Sequence, residues 1–136
     1  MSVKVGRLKQ RRDFLRIAAA RNKWVAPGLI LQASPSKDEP RQVGGERCDL
    51  RVGFTASRKV GNAVARNRVK RRLRAAVSEL FPVHADPGFD YVLIGRHATA
   101  ARDYSALLQD RRVGLKRLDV WRENGTPAAN SGAAVQ

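Results

Sequence analysis

Between Arg58 and Arg74 the chain reads Arg-Lys-Val-Gly-Asn-Ala-Val-Ala-Arg-Asn-Arg-Val-Lys-Arg-Arg-Leu-Arg, and few folds can accommodate such a stretch. Ala65, Val69, Leu73, Ala76 and Leu80 recur at helical spacings of three and four, so one narrow side is apolar. Arg66, Lys70 and Arg74 then form a row along one flank. Arg68 and Arg72 lie on the other flank, and Arg71 points away from the core. Like charges one turn apart oppose helix formation by about 0.2–0.5 kcal/mol per pair. No acidic residue stands between Asp49 and Glu79 to relieve them. The pattern predicts a helix over Asn62 to Leu80, buried through Val69 and Leu73, with its outer face held against an external polyanion. Gly61 permits the turn into it, Asn62 caps it and Pro82 stops it. A merely solvated face would mix charges of both signs.

The rest of the chain has the same bias. Lys and Arg total 27 against 12 acidic residues in 136, a formal charge of +15. Such an excess directs the chain to nucleic acid or an anionic membrane surface. No apolar run approaches the roughly 18 residues of a spanning helix, and the basic N-terminus lacks the apolar segment of a secretory signal. A lone cysteine, Cys48, makes no internal disulfide and fits a reducing cytoplasm.

Read in order, residues 1–10 form a loose basic arm, 11–121 one RNA-binding domain and 122–136 a disordered tail. Arg11 to Ala20 is a first helix, with Phe14, Ile17 and Ala18 on one face. Trp24 and Val25 precede a Pro27-Gly28 turn, and Leu29 to Leu31 is a buried strand. Ser34 to Arg47 is a flexible hairpin connection. Asp49 to Ser57 alternates, with Leu50, Val52, Phe54 and Ala56 on the apolar side, as a half-buried strand does. After the basic helix and a turn at His84 to Gly88, Phe89 to His97 is a third strand. A last helix begins near Asp103, weakened by Gly114. The order α-β-β-α-β-α predicts an α+β fold, a small two-layer sandwich with helices on one sheet face and the other face open.

The residues supply no sequence-evident active site. His84 and His97 stand at no metal-ligand spacing from Cys48. Asp86, Asp90 and Asp103 could gather around Mg²⁺, but turn and capping roles account for each. Val60-Gly61-Asn62 is no Walker loop. Phe14 and Trp24 are open between stacking a base and filling the core. On these grounds the chain binds a polyanion, and composition does not separate an enzyme subunit whose chemistry is done by RNA from a ribosomal or RNA-chaperone module. A DNA-binding regulator would rest on Asn67 alone.

Residues 51–74, from Arg51-Val52-Gly53-Phe54 through the Gly61-Asn62-Ala63 helix entry, resemble the signature of the bacterial ribonuclease P protein subunit. Its core is Arg66-Asn67-Arg68, followed by Lys70, Arg71 and Arg74. Fainter similarity runs from Arg7-Leu8 and Asp13-Phe14 through Tyr91 to Arg96. The resemblance implies a ribonucleoprotein in which RNA is the catalyst and the protein contributes no catalytic residue and no metal site of its own. The holoenzyme uses Mg²⁺ to hydrolyse a phosphodiester of precursor tRNA, giving the mature 5′ end. It implies that Arg58, Lys59, Arg66, Asn67, Arg68, Lys70, Arg71 and Arg74 bind RNA. Arg66 and Asn67 would lie near the 5′ leader, in one leader-binding cleft with Phe14, Gln32 and Phe54 between the first helix and the sheet. It implies a left-handed strand–helix–strand crossover, against the general right-handed rule. Two positions depart from the family's habit: a second aromatic beyond Phe14 is Ala18 here, and a second-strand tyrosine is Gln32.

Overall fold

The computed structural model describes residues 5–35, 42–43, 46–47, 49–118 and 120–121. Cys48, the residues 36–41 and the segment 122–136 lie outside that set. In chain order the elements are β1 (Val5–Arg7), α1 (Arg11–Ala19), β2 (Lys23–Val25), β3 (Leu29–Pro35), β4 (Gln42–Val43) and β5 (Glu46–Arg47). They continue with β6 (Leu50–Ala56), α2 (Ala63–His84), β7 (Phe89–Gly95) and α3 (Tyr104–Arg117). Short 3₁₀ turns at Arg58–Val60 and His97–Ala100 follow β6 and β7. The main sheet has five strands in the order β1-β6-β7-β3-β2. β6 runs parallel to β7, with α2 as the crossover, and β3 runs antiparallel to β7. Central position explains the unbroken apolar run Tyr91 to Ile94: β7 has a strand on each side and a helix layer on each face.

Alternation decides what each layer buries. Leu29, Leu31, Leu50, Val52, Tyr91 and Leu93 face α2 and α3 in the main core. α2 contributes Val69, Leu73, Val77, Leu80 and Phe81 to it, and α3 contributes Leu107 and Leu115. The predicted inner face of α2 is therefore the observed one, with Val69, Leu73 and Ala76 at 0% exposure. Asn62 caps the helix as its side chain accepts from the Ala65 N–H at 3.0 Å. Gly61 turns the chain at φ 145°, where a Cβ would be strained.

Four expectations need correction. The arm is not loose throughout, because Val5–Arg7 pairs with Leu50–Val52 and Leu8 is buried. Three residues are too few to show a period. Lys23–Val25 is a further strand, antiparallel to β3. Pro82 does not stop α2, which runs on to His84. Burial of Leu80, Phe81 and Ala85, and the stacking of His84 on Trp121 at 4.2 Å, offset the loss of one helical N–H. Finally, the second sheet face is not open. α1 lies on it, packing Ile17 and Phe14 against Leu8, Val92 and Ile94, so the sandwich has a third, partial layer.

That third layer is pinned by charge. Arg51 grips Asp90 bidentately, Nε to Oδ1 at 2.9 Å and Nη2 to Oδ2 at 2.7 Å. The register that sets Arg51 beside Asp90 across β6 and β7 makes this possible. Arg16 of α1 reaches the same carboxylate at 2.5 Å. On the opposite side, Asp110 of α3 accepts from the Gly28 N–H at 3.0 Å and from Arg102 Nε at 2.6 Å, tying α3 to the β2–β3 turn.

Candidate nucleic-acid interface

The interface is built at one end of the sheet. β6 ends at Ala56, the 3₁₀ turn is anchored by buried Val60, and α2 starts back from the same end. Arg58 and Lys59 are exposed on that turn, beside the positive end of the α2 dipole. Asn67, Arg68 and Arg71 are exposed on the outer face of α2, while Arg66, Lys70 and Arg74 are half-buried along its flank. Arg66 donates to the Gly61 carbonyl at 3.2 Å, so its guanidinium is held against the helix entry. Among the described residues, none of Arg58, Lys59, Arg66, Arg68, Lys70, Arg71 and Arg74 forms an ion pair. Arg72 behaves differently. It donates to the Arg102 carbonyl and lies 5.8 Å from the Tyr104 ring centre, so it fastens α2 to the start of α3.

On the other face of the same sheet end, α1 and the strands enclose a cleft of about 480 Å³. Phe14, Gln32 and Phe54 line it together, as the family pattern implied. The Phe14 ring lies directly on Gly53, where an added Cβ would come within 2.6 Å of it. Phe14 is thus both core and cleft wall: it packs with Ile17 and Val92 and still borders the opening. Ala18 borders it as well, so both positions that depart from the family's habit fall in this cleft and leave Phe14 and Phe54 as its aromatic groups. Arg66 and Asn67 are not among its lining residues; they lie across the sheet end, on α2.

Lys9, Arg11 and Leu15 also border the cleft, as do Thr55, Val92 and Ile94. The strand alternation marks Thr55 as facing away from the main core, so that residue was within reach of sequence reasoning. Lys9 and Arg11 carried no signal beyond their charge. Among the described residues no three His, Cys, Asp or Glu side chains gather to hold a metal. Asp90 is consumed by Arg16 and Arg51, His84 stacks on Trp121 and His97 is exposed.

Cations on α2 without an ion pair among the described residues, next to an aromatic cleft, suit a protein that grips polyanionic strands. The comparisons with known proteins agree. Residues 3–119 match the Ribonuclease P family model. The chain is 52% identical over 136 residues to the ribonuclease P protein component of Paramagnetospirillum magneticum, covering 100% of this chain and 99% of that one. It is 48% identical over 112 residues to that of Ruegeria pomeroyi, covering 82% and 84%. Among solved structures it resembles the Staphylococcus aureus RNase P protein with a TM-score of 0.67 at 23% identity, over 85% of this chain and 97% of that one. The Thermotoga maritima RNase P protein gives 0.61 at 25% identity, over 79% and 92%. The chain belongs to the ribonuclease P protein family and is a protein subunit of that endoribonuclease. The ribosomal and chaperone alternatives fall away.

Proposed function

We propose that this chain holds two RNA strands at one end of its sheet. The catalytic RNA lies along the outer face of α2, against Arg58, Lys59, Arg68, Lys70, Arg71 and Arg74. The 5′ leader of precursor tRNA enters the cleft between α1 and the sheet, with Arg66 and Asn67 near its path. The observation that carries the reading is that, among the described residues, the α2 cations form no ion pairs, in a protein that pairs Arg16, Arg51 and Arg102 with carboxylates. With Ala18 and Gln32 in the cleft, stacking there rests on Phe14, and Lys9 and Arg11 add charge.

The protein's contribution is positioning. Its cations reduce repulsion between two polyanions, raise substrate affinity and lessen the Mg²⁺ that the RNA needs to hold the reacting phosphodiester in place. A reducing, RNA-rich cytoplasm suits such a chain and its single cysteine. The test is cleavage of end-labelled precursor tRNA by protein alone, RNA alone and both together. Adding protein is expected to lower the Mg²⁺ required for correct 5′ cleavage. Arg66→Ala or Asn67→Ala should weaken substrate binding and largely spare single-turnover chemistry at saturation. Robust cleavage by RNA-free protein, or no protein effect at low Mg²⁺, would overturn the proposal.

A further inference from the structure

A second opening lies at the β1 edge of the sheet, on the α2 side. It is a groove of about 350 Å³ with apolar walls of Val5, Val52, Phe54 and Val77, flanked by Arg7 and Arg74. That volume is within the range of small-ligand sites. Arg74 is the last member of the row Arg66, Lys70 and Arg74, whose steps each rise about 6 Å along the helix. A strand tracked by that row arrives at this groove. Arg7 stands 6.0 Å from the centre of the Phe54 ring, and among the described residues neither Arg7 nor Arg74 has an ion pair.

Ser78 and Pro82 complete the wall and account for a proline inside a helix. Pro82 has no N–H to offer the carbonyl of Ser78, four residues earlier. The Ser78 hydroxyl donates to the Ala75 carbonyl at 3.0 Å, so its lone pairs face outward as acceptors. An apolar slot with an aromatic wall, acceptors on one side and, at its margin, two guanidinium groups without an ion pair among the described residues has the chemistry to receive an unstacked nucleobase. The ring meets Phe54 and the valines, an exocyclic amino group meets Ser78, and the neighbouring phosphates meet Arg7 and Arg74. An apolar peptide would fill the same walls and bring no anion to the guanidinium groups.

We propose that this groove captures one unstacked, amino-bearing base of the RNA that α2 holds; the inference rests on the RNA-binding reading above. The test titrates the full chain with octa-adenylate and with an abasic oligoribonucleotide of the same length and charge. In the unaltered chain, methyl resonances of Val5, Val52 and Val77 are expected to shift with octa-adenylate and stay in place with the abasic strand. Octa-adenylate should bind about fivefold tighter or more, and Ser78→Phe, which fills the groove, should remove that preference. Base-dependent shifts confined to Leu15, Val92 and Ile94 would put the base in the α1 cleft and overturn the groove. Equal affinity for the two strands would overturn it too. Failure of both strands to bind would overturn the RNA-binding reading itself, and the groove with it. If Ser78→Phe does not fold, the shifts in the unaltered chain decide the matter alone.

Discussion

Arg51 and Arg71 carry the same side chain into opposite surroundings. Arg51 is 4% exposed and spends its guanidinium on Asp90, a carboxylate at 0% exposure that also receives Arg16. Asp13 stands 3.7 Å from Arg16, so two cations and two carboxylates meet where α1, β6 and β7 join. Arg71 sits on the outer face of α2 with no carboxylate in reach among the described residues. The junction neutralises itself during folding. The helix face leaves folding with its repulsion intact, and only an added anion relieves it. Binding is thereby linked to stability: whatever neutralises α2 in the folded state also favours that state. A buried ion pair adds little net stability over a well-packed apolar substitute, yet breaking one partner is costly. The junction is a positioning device, which holds α1 over the sheet and so sets the width of the cleft.

The sharpest way to break this contrast is Asp90→Ala. It removes the buried carboxylate that Arg51 and Arg16 share, and the expected loss is about 3–5 kcal/mol in a denaturant melt. A loss below about 1 kcal/mol would show that the junction is wetter than its burial implies. Within α2 itself, Leu73→Ala tests the inner face. Leu73 is fully buried, so about 2–5 kcal/mol should be lost. No measurable change would mean that the helix packs through another side.

On the outer face the expectation reverses. Arg71→Ala or Arg74→Ala should alter stability by less than about 0.5 kcal/mol. Each should lower the slope of log affinity for the RNA partner against log salt by up to about one. A normal slope after substitution would remove that residue from the phosphate contacts. Arg→Lys is not expected to restore full affinity, because an ammonium cannot grip two phosphate oxygens as a planar fork does.

The smallest effect concerns Asp103, an exposed acid that is compensated locally. The Ser105 hydroxyl, above all, holds its carboxyl below the ordinary value of 3.8. A carboxyl with a depressed folded-state pKa stabilises the fold above its unfolded pKa and loses that contribution as pH falls through the folded one. The stability difference between the unaltered chain and Asp103→Ala should therefore be flat from neutral pH down to about 4 and shrink below it. Urea midpoints measured across that range check the sign; a difference that grows on acidification would refute it.

Much of this molecule is legible before folding. The inner face of α2, its Asn62 cap, the turn at Gly61, the alternation of β6 and the central run of β7 all follow from residues within one or two turns of each other. The excess of cations on α2 is legible in the sequence alone, since no acidic residue stands between Asp49 and Glu79. Phe14, Gln32 and Phe54 meet in one cleft as the family pattern implied, but Arg66 and Asn67 stand across the sheet end from it. Gly114, which reads as a flaw in α3, is where that helix approaches β3 so closely that a Cβ would lie 3.0 Å from Leu31. Asp90, read as a carboxylate of the third strand without a site of its own, proves to be the buried counter-ion of two arginines. β1, the placement of α1 on the second face and the groove at Ser78 and Pro82 were equally hidden. Sequence determines what each segment must bury and what it must leave to a partner, because periodicity and charge are local. Which segments meet was decided by strand register and by packing between residues far apart in the chain. Those pairings have no local period to be read, and they exist only once the sheet has formed.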